Sequence, residues 1–353
     1  MLQLRDKKIA EEILARIKKL NLQLKIMHVC GTHQDTIVRH GLDALLKKHG
    51  IEVIQGPGCP VCVTTTLEIQ KAIELAKYGI TIATFGDMVK VPVAGTSLQK
   101  IRAEGADIKI VYSIDDAIKI ANEKEVVFIG VGFETTAPST AVTLLNEPRN
   151  FYVLSCHRYI PPALDALLGM GEIKLDGIIC PGHVSTIIGI EPYKPISSKY
   201  KIPQVIAGFE PLDVLLAVYM IAKQVYEGRH DVENEYIRVV KPEGNIKAKE
   251  ALKEVFEPTD AKWRGFPIIK GSKMAIKKKF EEYDAEKIYE DLIDTIEEAE
   301  EPQGCRCGEV LRGLIYPQQC PLFGKACNPS NPVGPCMVSI EGACNIEYRY
   351  KND

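Results

Sequence analysis

The chain has 353 residues, 46% of them hydrophobic and 26% charged, with a formal net charge of -3. That length supports more than one hydrophobic core. The near-neutral balance lacks both the basic excess that nucleic acid demands and the acidic excess of a disordered tail, so no nucleic-acid partner is expected.

Residues 1–23 place apolar side chains at helical spacing, interrupted every few positions by Lys, Arg and Glu. This predicts an amphipathic helix that stays on the protein, packed on the C-terminal region, and not a cleaved signal. No apolar run reaches the ~18 residues of a membrane span. A cytoplasmic protein with no membrane contact is expected.

From residue 24 onward, β-rich runs alternate with helical patterns: "LKIMHVC", "IEVIQG", "ITIATFG" and "IKIVYS", then "VVFIGVG", "NFYVLSC", "DGIICPG" and "PQVIAGF". The alternation argues for βαβ units and parallel sheets. The fold class read from it is α/β, with two related Rossmann-like parallel-sheet domains facing a cleft and a helical, loop-rich domain after them. The two series suggest a loose duplication in which "MHVCGTH" matches "IGVGFET", "VIQGPGC" matches "IICPGHV", and "IATFGDM" matches "VIAGFEP". Domain limits follow at 24–124, 125–230 and 231–353, the second break lying in "YEGRHDVENEY". In the last region the acidic stretch 280–304 reads as one helix with a solvated face.

Eleven cysteines carry most of the chemical signal, because a reducing compartment turns a high thiol count toward metal or redox work. "CGTH" offers Cys30 and His33 at a strand end. "GPGCPVCVT" offers Cys59 and Cys62 at the next, where the start of a helix favours thiolate. That serves metal binding and disulfide exchange alike. "CPGHVS" places His183 at a corresponding turn, with Glu134, Glu210 and Asp213 on neighbouring ones, and a base or hydrogen-bond role for His183 is the reading. Asp87 caps a helix or orients a neighbour. Lone Cys156 and Cys180 read as small buried hydrophobes. The glycines form neither a P-loop nor G-x-G-x-x-G.

Cys305, Cys307, Cys320, Cys327, Cys336 and Cys344 crowd into one Gly/Pro-rich segment in the order C-x-C-x12-C-x6-C-x8-C-x7-C. Zinc knuckles fit this poorly, since there is no CxxC and no histidine. An iron-sulfur cluster fits better, with a disulfide framework as the remaining alternative. Four ligands would leave two thiols over, able to exchange with a disulfide.

The strings "CGTHQ", "GPGCPVCVT", "FGDM", "GFETTAP", "YIPPALDAL", "CPGHVS", "GFEPLD", "WRG" and "CPLFGKACNPSNPVGPCMVSIEGAC" together resemble the HypD-type hydrogenase maturation proteins over nearly the whole chain. The resemblance implies assembly of the iron centre, with its cyanide and carbon monoxide ligands, that is later inserted into [NiFe]-hydrogenase. It implies a [4Fe-4S] cluster on Cys305, Cys320, Cys327 and Cys344, with Cys307 and Cys336 as a redox pair similar to that of ferredoxin-thioredoxin reductase. Cys30 would hold the nascent iron together with a small chaperone of the HypC type, a HypE-type partner would donate cyanide, and Cys59 and Cys62 would be the cleft dithiol. His33 and His183 would assist by proton transfer or hydrogen bonding. The string "KVPVAGTSL" and Lys270 in "PIIKGS" depart from the family pattern without touching a thiol. Two rival functions are a docking scaffold merely stiffened by its cluster and a general thiol-disulfide oxidoreductase.

Overall fold

The computed structural model describes residues 6–351, so residues 1–5 of the expected N-terminal helix lie outside the described residues. Among the described residues, nine strands form two parallel sheets. They are β1 (Leu24–His28), β2 (Ile51–Gln55), β3 (Thr81–Thr84), β4 (Ile108–Ile110), β5 (Val126–Gly132), β6 (Phe151–His157), β7 (Gly177–Pro181), β8 (Gln204–Ala207) and β9 (Val232–Asn234). Every residue of β3, β5, β7 and β8 is buried, as expected of parallel strands covered by helices on both faces.

The first sheet has the order β2-β1-β7-β8-β9 and the second β4-β3-β5-β6. The expected break at residue 124 is therefore corrected. The chain lays down β1 and β2, crosses to build the whole second sheet, and returns to finish the first. A right-handed crossover can lead to either sheet without altering the apolar pattern of its strands, so the alternation did not reveal the exchange. The duplication is real in topology but differently paired. β1 matches β5, as expected, yet the counterpart of β2 is β6 and that of β7 is β3. Likewise the expected break within Tyr226–Tyr236 falls inside the first sheet, because β9 pairs with β8 there.

In each sheet the strand order runs outward from a central pair, β1/β7 in one and β3/β5 in the other. Such reversals open a crevice at the carboxyl ends of the central strands. The turns at these two crevices are Cys30–Gly31 with Gly182–His183, and Gly86–Asp87 with Phe133–Glu134.

The N-terminal helix Lys7–Leu20 is capped by Asp6, whose carboxylate accepts the N–H groups of Lys8 and Ile9. It buries Ile13, Leu14 and Ile17 against the helix Pro211–Tyr226 of the first sheet, sharing a core with Leu24, Val53 and Val218. The expectation that it packs on the C-terminal region is corrected: its apolar stripe closes the flank of β1 and β2.

The C-terminal region contains an antiparallel hairpin, β10 (Phe256–Lys262) with β11 (Ile268–Ile276), that the sequence reading did not anticipate. It packs on β6, where Ser155 Oγ donates to Met274 O at 2.7 Å. The acidic stretch is not one helix. Short turns at Lys278–Tyr283, Ala285–Ile288 and Glu290–Ile293 give way to an irregular strap. Like charges at helical spacing oppose a continuous helix. The strap instead grips the helix Thr66–Lys77: Gln70 donates to Glu297 O, and Thr66 Oγ1 to Glu298 Oε1 and Ala299 O. Among the described residues no helix is long and apolar enough to cross a membrane.

Candidate functional site

Cys30 follows β1 by two residues and is the N-cap of the helix Gly31–Arg39, with extended backbone and a buried thiol. Burial pushes that thiol up to about 11. Its turn lies backbone to backbone on the turn after β2: Gly31 N–H donates to Gly58 O at 3.3 Å, and a Cβ on Gly58 would strike the Cys30 and Val29 backbone. Only glycine permits this approach. Gly31 faces Glu341 equally closely, with a Cβ at 31 landing 2.6 Å from Glu341 O. Cys30 thus sits where β1, the GPGC turn and the C-terminal segment meet.

Cys59 and Cys62 are joined in a disulfide, and both are fully buried. Cys59 is the N-cap of the short helix Pro60–Val63, and its sulfur accepts the Cys62 N–H at 3.2 Å. This helix packs against two others, Cys307–Leu311 and Pro335–Val338, which carry Cys307 and Cys336. Interaction with the Cys336 thiol, with help from the nearby Arg264 charge and against burial, holds the Cys307 thiol below its ordinary value. The same interaction and burial push Cys336 well above it.

All six C-terminal cysteines line one small cavity, closed by Leu322, Phe323 and Met337. Val333 N–H points at Cys327 Sγ at 3.3 Å. A Cβ on Gly334 would come within 2.6 Å of Cys305 Sγ, so the wall there is kept free of side-chain bulk. Burial pushes Cys305 up to about 12 and Cys344 well above its ordinary value. Among the described residues no three His, Cys, Asp or Glu side chains converge closely enough to hold a single metal ion. A cuboidal cluster takes its four thiolates from around a larger body than one ion, and thiolates with backbone N–H donors suit iron-sulfur chemistry. The donor set therefore fits a cluster better than it fits zinc.

His33 is fully buried, and Nε2 donates to Gly208 O at 2.9 Å, which places the proton on Nε2. Burial pushes this imidazole down to about 4. His183 stacks on Phe209 at 3.9 Å and is exposed, while His33 lies 4.9 Å from the same ring. The two histidines therefore share one aromatic platform at the β1/β7 crevice. Asp213 is buried, caps the Pro211–Tyr226 helix through the Glu210 N–H and pairs with Arg238. Asp87 accepts the Ile340 N–H at 3.1 Å, tying the turn after β3 to the C-terminal segment. Glu134 is buried with no cationic partner among the described residues, accepts the Ile160 N–H, and is pushed by burial up to about 8. Cys156 and Cys180 are buried in β6 and β7, away from the other thiols' cavity.

Three arrangements went unread in the sequence. Arg264 of "WRG" reaches the carbonyl ends of the Cys59–Cys62 helix. Arg158 and Glu68 form a buried ion pair at 2.5 Å, and Glu68 also caps the helix Thr66–Lys77 through Thr65. His28 contacts Gln34 Oε1 at 2.7 Å, and Gln34 donates to Glu347, bracing the C-terminal helix Ala343–Lys351 on the Cys30 helix. The usable signal was local: "TLE" after Thr65 completes a capping box.

The fold and the site together define a class: α/β proteins whose thiols are gathered at the carboxyl ends of parallel strands beside a cysteine-lined cavity. The family model described as "Hydrogenase formation hypA family", and named HypD, matches residues 6–351. A putative hydrogenase expression/formation protein of Methanocaldococcus jannaschii is 48% identical over 361 residues, covering 99% of each chain. The hydrogenase maturation factor HypD of Azotobacter vinelandii is 41% identical, covering 99% of this chain and 96% of its own. That of Escherichia coli is 42% identical, covering 93% and 89%. The chain belongs to the HypD family of hydrogenase maturation factors.

Proposed function

We propose that the chain is a redox-active scaffold on which the iron unit with two cyanides and one carbonyl is assembled for [NiFe]-hydrogenase. Cys305, Cys320, Cys327 and Cys344 hold a [4Fe-4S] cluster, which when bound supplies electrons one at a time. The Cys307/Cys336 pair passes two electrons on to the Cys59–Cys62 disulfide by thiol-disulfide exchange. Cys30, beside that dithiol, holds the iron cargo, because a soft thiolate suits iron that carries strong-field ligands. His183, open to solvent at the same crevice, moves protons, while His33 holds the platform with its proton committed to Gly208. A small HypC-type chaperone docks at this rim, a HypE-type partner delivers cyanide, and a reducing cytoplasm is the setting.

One observation carries the reading: the disulfide helix packs against both helices that bear the two surplus thiols. The test is infrared spectroscopy of the full chain purified without oxygen together with its chaperone. Cyanide and carbonyl bands are expected in the native complex, absent in Cys30→Ala and in Cys59→Ser/Cys62→Ser. A fully ligated iron in the double variant would overturn the dithiol role. A loaded native complex without bands would overturn the scaffold.

A further inference from the structure

We propose that Arg264 is the positioning residue of the thiol relay: it clamps the disulfide helix against the Cys307 helix and supplies the positive charge that meets the thiolate released when the disulfide opens. The assignment rests on the relay proposed above and adds a residue to it.

Arg264 is 1% exposed. Its backbone N–H donates to Val63 O and its Nε to Thr64 O, both at 2.9 Å, so it holds the carbonyl end of the helix Pro60–Val63 by two bonds. Its Nη1 pairs with Glu301 Oε2 at 2.5 Å, a carboxylate 46% exposed. Its Nη2 is buried and has no hydrogen-bond partner among the described residues. Burying a guanidinium with one arm unpaired is expensive, so its retention calls for a function or a transient partner.

On its other side the same loop touches the Cys307 helix. Gly265 adopts a φ of +79° and lies against Gly308 so closely that a Cβ on either would strike the other's backbone. Trp263 anchors the loop from behind, with Nε1 donating to Ser272 Oγ at 2.9 Å. The guanidinium therefore stands at the junction of the two thiol-bearing helices.

The exchange balances within the chain. The Cys307 sulfur attacks Cys62 Sγ, a Cys307–Cys62 bond forms, the Cys59–Cys62 bond breaks, and Cys59 leaves as thiolate, accepting the Cys62 N–H. Cys336 then attacks Cys307, the mixed bond breaks, and Cys62 leaves. The Cys307/Cys336 pair is oxidised by two electrons, the Cys59/Cys62 pair is reduced by two, and the two thiol protons pass from the first pair to the second. Each substitution spreads negative charge over sulfurs buried from water, where a preorganised cation acts most strongly.

The experiment uses the full chain, purified without oxygen, oxidised, then reduced with dithionite. Acid quench, alkylation and mass spectrometry read the state of both pairs against time. In the native chain reduction of Cys59/Cys62 follows that of Cys307/Cys336. Arg264→Gln is expected to slow the transfer roughly 100-fold, the usual effect of removing one stabilising donor, while Cys307/Cys336 still reduces at the native rate. Arg264→Lys, which keeps the charge, should stay within about tenfold of native. Native transfer in Arg264→Gln, or equal loss in both variants, overturns the role of the charge. If Arg264→Gln does not fold, Glu301→Gln serves: it keeps clamp and charge, so slower transfer than native overturns the assignment. A native chain whose pairs never exchange overturns the relay itself, an outcome distinct from an Arg264 variant that behaves as native.

Discussion

Replacing Glu134 by Gln tests the electrostatics of the β3/β5 crevice directly. Glu134 is 1% exposed, has no cation beside it among the described residues, and is pushed by burial from 4.5 up to about 8. Its folded value lies above its unfolded one, so its contribution to stability is complete below pH 4.5 and disappears as pH rises through 8. Each unit is worth about 1.4 kcal/mol. Between pH 5.5 and 8 the native chain therefore loses roughly 3 kcal/mol through this one carboxyl. Gln keeps an oxygen to accept the Ile160 N–H, 3.1 Å away in the native chain, and does not titrate. Buried His28, His33 and His157 titrate in the opposite sense. Burial pushes them to about 3, 4 and 3, so the unfolded chain binds the extra protons below pH 6.5 and stability falls on acidification. They are present in both chains and cancel in the difference. Urea midpoints of both proteins from pH 5.5 to 8.5 are the assay. Glu134→Gln should gain on the native chain as pH rises, by roughly 3 kcal/mol across the range. A difference that stays flat would refute the burial of an ionisable carboxyl at this site.

Two further substitutions probe the frame around the thiols. Gly334→Ala places a Cβ 2.6 Å from Cys305 Sγ at ordinary extended backbone angles, so the fold should persist while bound iron and sulfide per chain fall at least by half; unchanged iron content would remove Cys305 from the cavity's ligand set. Arg158→Met removes the ion-pair partner of the buried Glu68 carboxylate, and the unfolding free energy should drop by about 3–5 kcal/mol. A loss under about 1 kcal/mol would mean that Glu68 simply takes up a proton.

The strands and their parallel sense could be read from the sequence because parallel strands covered on both faces are unbroken apolar runs, and β5 and β8 are of that kind. Their partition between sheets could not. A strand's own residues determine that it is buried but not beside which neighbour, and β3 would satisfy its pattern next to β2 as well as next to β5. The hairpin escaped notice because β10 is polar and largely exposed apart from Phe256, so it lacks the alternation that marks a half-buried strand. The acidic strap misled for a related reason: helical propensity is local, whereas the contacts of Glu297 and Glu298 with Thr66, Gln70 and Lys262 come from far away in the chain.

The same distinction governs the site. Each thiol could be picked out singly, because a cysteine beside glycine and proline at a strand end is chemically conspicuous wherever the chain carries it. What joins them could not, since it consists of contacts between distant residues: Arg264 Nε reaches a carbonyl 200 positions earlier, and Asp87 holds the N–H of Ile340, 253 positions later. The first ties the Arg264 loop, which lies against Gly308, to the disulfide helix, and the second ties the C-terminal segment to the turn after β3. The interleaved sheets explain why this is possible. β1 and β2 lie in the first sheet and β3 in the second, so the turns bearing Cys30, Cys59 and Asp87 belong to different layers. The C-terminal segment touches all three turns, through Glu341, Cys307 and Ile340. A chain with two sequential, self-contained sheets would place the Asp87 turn in the same layer as the thiols and leave that segment one layer to touch. The exchange of strands between sheets is therefore the feature that lets one cysteine cavity brace both layers at the point where the thiols gather.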